Sequence, residues 1–428
     1  MKTTARRVGI ALTAASLVLT GCGRDDDEPG GTESVPGVTS EPCPEAVDQE
    51  KGCIYLGTIT DLTGVFKGVG VPLTEGQKAF WAKVNADGGI GDYEVDVTKF
   101  TKDNQYNPDT HATVFAEIKD EILALGQSLG TAHTNTILEQ VQDDSILTLP
   151  ASLGSNWIFE DGVIEVGTNY CAEAMNSVDA AVDGGAKSVA AVHFPGDYGD
   201  DAMVGARIAA EANDLKFTDI PTAPGQEAQG AAVTALLKAK PDVVIVSTGP
   251  IEMAAIVGGA AAQGFTGKFI GSIPSWNAAV LESPAGPAIA GLYRQATSFG
   301  TWDSDTPGHE AMREAAAAAK QVPNDWYMIG WAGGYIMKAA LEAAIEDDNL
   351  TREGLVEAAA ALTGVDGEGM LPEGSGNYAG DPNERVVRAT SLNKVDDKTS
   401  SKVSVDTEAF TGPTAEGYDF QEPCYLQK

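Results

Sequence analysis

Residues 57–97 read GTITDLTGVFKGVGVPLTEGQKAFWAKVNADGGIGDYEVDV, and their hydrophobic period changes twice. The run IYLGTIT at 54–60 is rich in β-branched and aromatic residues, as is YEVDVTKF at 93–100; both have strand composition. Between them Leu73, Gly76, Phe80 and Val84 recur at helical spacing, with Lys78 and Lys83 on the opposite face. Gly88, Gly89 and Gly91 supply the positive φ values that stop a helix and turn the chain into the next strand. The stretch therefore encodes strand, helix, tight turn and strand.

The alternation continues outward. Strand-like runs recur as ILAL (122–125), SILTLP (145–150), SVAAVHF (188–194), DVVIVSTG (242–249) and KFIGSI (268–273), with helical patterns between them. Pro108, preceded by Asn107, reads as a first helical residue with its cap. Residues 310–321 and 325–347 read as helices, and Gly333-Gly334 in the second predicts close packing. Such alternation predicts an α/β chain whose mainly parallel sheets are flanked by helices. Roughly 375 ordered residues exceed what one core holds, so two lobes are expected. Ligands of open α/β sheets bind outside the carboxyl ends of the strands, and two lobes facing each other by those ends make a cleft.

The N-terminus, MKTTARRVGIALTAASLVLTGC, sets Lys2, Arg6 and Arg7 before an uncharged apolar run and ends in Leu19-Thr20-Gly21-Cys22. That is the pattern of a secretory signal, residues 1–22, and its end resembles a bacterial lipobox with Cys22 as the lipidated residue. An acidic stretch rich in Pro, Gly and Ser follows; residues 23–52 read as a flexible stalk. The expected location is the extracytoplasmic face of the cell membrane, held by a lipid anchor. With 28 Lys+Arg against 62 Asp+Glu, a net charge of −34 argues against nucleic acid as a partner. Apart from Cys22, Cys43, Cys53, Cys171 and Cys424 remain. Four cysteines allow three pairings; the preferred one joins Cys43 to Cys53 and Cys171 to Cys424. No Cys-x-x-Cys occurs and only four His are present, which disfavours structural zinc.

Several segments then combine. Asn85-Ala86-Asp87-Gly88-Gly89-Ile90-Gly91, Asp103 with Asn107-Pro108, GDYGDDAMVGARIAAE (196–211) and KPDVVIVSTGPIEMAAIVGGAAAQGFTGKFIG (240–271) follow in order from about residue 53 to about 345. Together they resemble the type I periplasmic binding proteins of the branched-chain amino-acid ABC transporter group. The resemblance implies a two-lobed fold hinged by crossover segments. One lobe would hold 53–168 and about 297–375, and the other 169–296 and about 376–428. It implies no enzyme activity, no cofactor, a monomer, a small ligand (an amino acid or related amide), and a permease with its ATPase subunits as partners. The ligand carboxylate would rest on the 128–134 turn, through Ser128, Gly130 and Thr131, and on Ser152. Tyr198 would flank the ligand from the second lobe, Glu252 would take its ammonium, and Asp61 and Phe66 are further contacts. Phe299 and Trp302 would wall the cleft, and Trp157 would pack over the ligand or plug the lobe. Where the family carries an aromatic or acidic contact, this chain has Gln226, Glu227 and Gln229, so its side-chain pocket need not be that of a branched-chain binder.

Two other functions compete. A receptor of the same fold would report its ligand to a membrane signalling partner. Alternatively Gly126-Gln127-Ser128-Leu129-Gly130 fits the G-x-S-x-G of serine esterases, with His193 or His309 as the base. A calcium loop at Asp303, Asp305, Gly308 and Glu314 is disfavoured, because Pro307 stands where a ligand is needed.

Overall fold

The computed structural model describes residues 35–196 and 198–427; the expected signal sequence, Cys22 and the start of the expected stalk lie outside them. Two sheets organise the chain. In the first, strand Gly52–Thr60 is central. It pairs in parallel with Tyr93–Asp96 and Thr101–Asp103 along one side and with Ala124–Leu129 on the other, and Ala124–Leu129 pairs in parallel with Thr148–Ala151. The strand expected over 93–100 thus ends at Asp96, which turns the chain by accepting the N–H of Thr98 and Lys99, and a separate strand follows at Thr101–Asp103.

The second sheet is ordered Lys216–Pro221, Ser188–His193, Val243–Ser247, Lys268–Gly271, Tyr293–Thr297, Thr390–Val395 and Val403–Phe410. Its first five strands run parallel and its last two are antiparallel additions. The molecule is therefore α/β with two mainly parallel sheets flanked by helices, the two-lobed type I periplasmic-binding-protein fold.

Helix Lys67–Ala86 buries Leu73, Gly76, Phe80 and Val84, the face read from the sequence. It packs on helix Asp325–Glu346, and glycines set the approach. A Cβ on Gly76 would fall 1.9 Å from the Tyr327 carbonyl oxygen, and one on Gly330 would fall 1.9 Å from that of Leu73. Gly334 is pressed in the same way against the Phe80 ring. The chain returns to the first sheet for this helix and then leaves again for Thr390–Val395, so three segments cross between the sheets. Hydrogen bonds tie them together. Thr168 N donates to Ser298 Oγ, Thr168 Oγ1 donates to the Ala389 carbonyl, and Ser375 Oγ to that of Val166.

Disulfides join Cys43 to Cys53 and Cys171 to Cys424. The second fixes the C-terminus to helix Tyr170–Asp183. Among the described residues, no helix is long and apolar enough to cross a membrane.

Candidate functional site

A cavity of about 80 Å³ opens where the carboxyl ends of strands Ala124–Leu129 and Thr148–Ala151 meet the facing lobe. Gly130 makes the turn at φ 104°. That value lies in the region favouring glycine, and a Cβ there would strike the His133 ring. Where a serine might have offered a hydroxyl, the backbone geometry demands glycine and leaves Thr131 as the next side-chain donor.

The cavity does not stop at the cleft. Gly126, Gln127, Leu129 and Leu149 line it from the sheet, Leu73 and Gln77 from helix Lys67–Ala86, and Ile329, Gly330 and Gly333 from helix Asp325–Glu346. It therefore enters the first lobe between the sheet and its two covering helices. From the second lobe come Tyr170, Tyr198, Ile273 and Pro274, and Phe299 lines it from a crossover. Phe66 is 3 % exposed, Thr131 4 %, Ser152 6 % and Tyr198 2 %. The lobes are closed over this space. Asn277 Nδ2 donates to the Gly68 carbonyl at 2.7 Å, and Trp326 Nε1 to that of Trp276 at 2.9 Å.

No charged side chain lines the cavity, and most of its wall is carbon. Its polar exceptions matter. Thr131 Oγ1, Ser152 Oγ and Gln127 Oε1 are buried and have no hydrogen-bond partner among the described residues. A buried polar atom without a partner costs about 1–3 kcal/mol, and these three are the ones that belong to residues of the cavity wall.

Of the residues singled out in the sequence, Phe66, Gly130, Thr131, Ser152 and Tyr198 come together on the cavity wall, with Phe299. Asp61 does not reach it. Its carboxylate accepts the N–H groups of Thr63, Gly64 and Phe66, which shapes the loop that presents the Phe66 ring. Ser128 lies inside the strand rather than in the turn. Its hydroxyl faces the opposite side of the sheet, 3.1 Å from His111 Nε2 and 2.8 Å from Thr134 Oγ1. Burial, with His133 nearby, pushes His111 down to about 3, so its ring is neutral. This serine and histidine are both fully buried. His193 sits in the second sheet, 2.8 Å from Asp219, and His309 in helix Pro307–Ala318, 2.7 Å from Thr306 Oγ1.

Glu252 also stands off the cavity. It opens helix Pro250–Ala262, and its Oε1 accepts the N–H of Gly225 at 2.8 Å. Gln229 is consumed within the same loop, bonding Thr222, Ala223 and Gly225. Trp157 is buried without touching the cavity, and Trp302 packs against Tyr327. Asp303, once a candidate calcium ligand, accepts two bonds from Ser400. Among the described residues no group of His, Cys, Asp or Glu is arranged to hold a metal ion.

The inner wall was not read from the sequence. Leu73 and Gln77 resemble ordinary core positions, and Trp326, Ile329, Gly330 and Gly333 arrive from more than 170 residues beyond the turn. A signal was present in the spacing of Gly330, Gly333 and Gly334, which marks a helix face where bulk is excluded.

The sequence pattern of the periplasmic binding protein family matches residues 54–400. The chain belongs to the type I periplasmic binding proteins. Among solved structures it is similar to a fatty acid ABC transporter substrate-binding protein from Thermomonospora curvata, with 27 % identity and a TM-score of 0.82, covering 91 % of this chain and 97 % of the other. It is also similar in fold to a branched-chain amino acid ABC transporter protein from Thermus thermophilus with bound valine, at 18 % identity and a TM-score of 0.75, covering 86 % and 98 %. A leucine-binding protein from Thermotoga maritima gives 18 % and 0.69, covering 84 % and 99 %. No curated protein matches the sequence. In this periplasmic binding protein, then, the cavity lies between the two lobes and extends inward into the first.

Proposed function

We propose that this periplasmic binding protein captures a small monocarboxylic acid with an apolar acyl body and delivers it to an ABC permease. The observation that carries this reading is the cavity wall, which is carbon except for a few neutral polar groups and has no carboxylate facing the ligand space. An α-amino acid needs a partner for its ammonium. Glu252, the residue expected to supply it, stands off the cavity wall, with Oε1 held by the Gly225 N–H and Oε2 buried without a partner among the described residues. A fatty acid needs no such partner, and the protein from Thermomonospora curvata is described as a fatty acid binder.

The carboxylate would rest on the hydroxyls of Thr131 and Ser152, whose oxygens are otherwise unpartnered; hydrogen bonds to an ionised acceptor are the stronger kind. The hydrocarbon would follow Leu129, Leu149 and Leu73 inward, removed from water at roughly 0.8 kcal/mol per methylene. Closure about the three crossovers buries the ligand, and the closed form is the one the permease receives. Lipidation at Cys22 would keep the protein at the membrane. A sensing role would use the same cleft and closure.

The test is thermal unfolding of the protein, with both disulfides intact, against a panel of n-alkanoates and α-amino acids. A ligand at 100 times its Kd adds about 2.7 kcal/mol. Alkanoates are expected to raise the midpoint while amino acids leave it unchanged. Stabilisation by amino acids alone would overturn the reading.

A further inference from the structure

Gln127 is the polar residue that the carboxylate reading leaves unused. It lies on the same face of strand Ala124–Leu129 as the cavity and is 2 % exposed. Its Nε2 donates to Thr74 Oγ1 at 2.9 Å, while its Oε1 has no partner among the described residues. Gln77, the neighbouring amide, is satisfied at both ends, accepting from Thr58 Oγ1 and donating to the Gly126 carbonyl. The two amides therefore differ in purpose. Gln77 braces the helix against the sheet, whereas one end of Gln127 is held and the other is left open to the ligand space.

The strand register fixes how far that open end lies from the proposed carboxylate site. Ser128 pairs with Pro150 and Leu129 with Ala151, which sets Ser152 beside Gly130, three residues along from Gln127. At about 3.3 Å per residue this is roughly 10 Å. That backbone spacing places a ligand group bonding Gln127 along the hydrocarbon rather than beside the carboxylate. The cavity measures about 80 Å³, and about 10–15 Å³ holds one water-sized sphere, so the chain inside is short, on the order of five to eight heavy atoms. A hydroxyl suits the position because it both donates and accepts and can serve either end of an amide.

From this we infer that the protein is built for a short acyl acid carrying a hydroxyl at or near its far end, an ω-hydroxyalkanoate, with Gln127 as the specificity-determining residue that reads the hydroxyl. The inference rests on the proposed function, since it assumes that the carboxylate sits at Thr131 and Ser152. Sites built to bond a hydroxyl discriminate strongly against ligands that lack one, because the buried partner is then left unpaired.

Calorimetric titration of the wild-type protein with hexanoate and 6-hydroxyhexanoate tests this without a variant. The hydroxy acid is expected to bind about tenfold tighter or more. Gln127→Leu should then reverse the order, weakening the hydroxy acid and strengthening hexanoate. If both acids bind equally, or hexanoate binds tighter to the wild type, the role of Gln127 is refuted while the acyl-acid function stands. If neither binds but α-amino acids do, the function itself fails and the inference falls with it. Should Gln127→Leu fold poorly, the wild-type pair still decides.

Discussion

The two lobes meet the cavity unequally. The first supplies the strand ends, the floor between sheet and helices, and the three polar atoms that lack partners at Thr131, Ser152 and Gln127. The second supplies Tyr170, Tyr198, Ile273 and Pro274 as a cover; several of its polar groups are engaged within the lobe, although Glu252 Oε2 and Ser272 Oγ are buried without a partner among the described residues and do not line the cavity. Tyr198 donates its hydroxyl to the Thr248 carbonyl, Glu252 holds Gly225, and His193 is bonded to Asp219. On the proposed function, recognition is concentrated in the first lobe and enclosure in the second. A polar atom satisfied by its own lobe contributes little to a ligand; one left open costs the empty protein and is available to the ligand.

The contrast breaks first where the floor is built. Gly330→Val would drive a side chain into the Leu73 backbone, 1.9 Å from its carbonyl oxygen, and fill the inner cavity as well. A stability loss of about 3 kcal/mol is expected by urea denaturation, together with loss of alkanoate binding. Trimming the cover, by Ile273→Val, is expected to cost about 1 kcal/mol and to leave the inner cavity intact. Equal losses of binding in both variants would remove the distinction between floor and cover.

Each lobe also holds a buried acid, and here the lobes are expected to behave alike. Burial pushes Asp201, which accepts from Ser155 and Tyr425, up to about 6, and does the same to Asp325, which accepts from Trp302. Glu165 and Glu173 are raised in the same direction by burial. The sign follows from proton binding: between about pH 4 and 6 the folded protein keeps protons that the unfolded chain has released, so stability grows as pH falls through that window. For Asp201 or Asp325 the full effect is about 2–3 kcal/mol. Buried His111 and His309, pushed down to about 3 and about 4, act in the opposite direction, so the test is a difference: the change in midpoint from pH 7 to pH 5 should be less favourable to the fold in Asp201→Asn and in Asp325→Asn than in the wild type. An identical change in the wild type and both variants would contradict the assignment.

Next in size come the open hydroxyls. Ser152→Ala and Thr131→Ala are each expected to weaken alkanoate binding about tenfold, since a bond to an ionised group is worth about 1.5–3 kcal/mol. The ligand-free protein should be as stable as before or slightly more so, because a buried unpaired hydroxyl has been removed. Tyr198→Phe, acting on the cover, should change affinity by less than about threefold. A larger effect there would mean that the tyrosine hydroxyl leaves Thr248 for the ligand.

The sequence carried the frame of this site better than its depth. Period and turn chemistry are local, so the strand, helix and glycine turn of residues 57–97 could be read directly. The position of Gly130 and Thr131 at a strand end followed from the same logic. The strand expected to end at Leu125 runs on four residues to Leu129, which puts the Ser128 hydroxyl in the interior, toward His111, rather than in the turn. Register of this kind is set by pairing with strand Gly52–Thr60, which shifts between Gly57 and Thr58, and an irregularity in the ladder has no signature in a single chain. The inner arm of the cavity is less legible still. It arises because helix Asp325–Glu346 returns to the first lobe, and its glycines acquire meaning only against Leu73 and Phe80.

The smallest expected effect belongs to Glu252, and it separates the two lobes most sharply. In an amino-acid binder this carboxylate would face the ligand and its loss would abolish binding. Here Oε1 is engaged by Gly225 and the residue lies in the first turn of its helix, where an acid is favoured by the helix dipole alone. Glu252→Gln preserves an oxygen for the Gly225 N–H and removes only the charge. Affinity for an alkanoate should therefore change by less than about twofold, with stability altered by at most about 1 kcal/mol. If calorimetry instead shows wild-type binding of an α-amino acid that Glu252→Gln abolishes, the second lobe recognises as well as encloses, and the closed cavity described here must open toward Phe66 and Glu252 to admit its ligand.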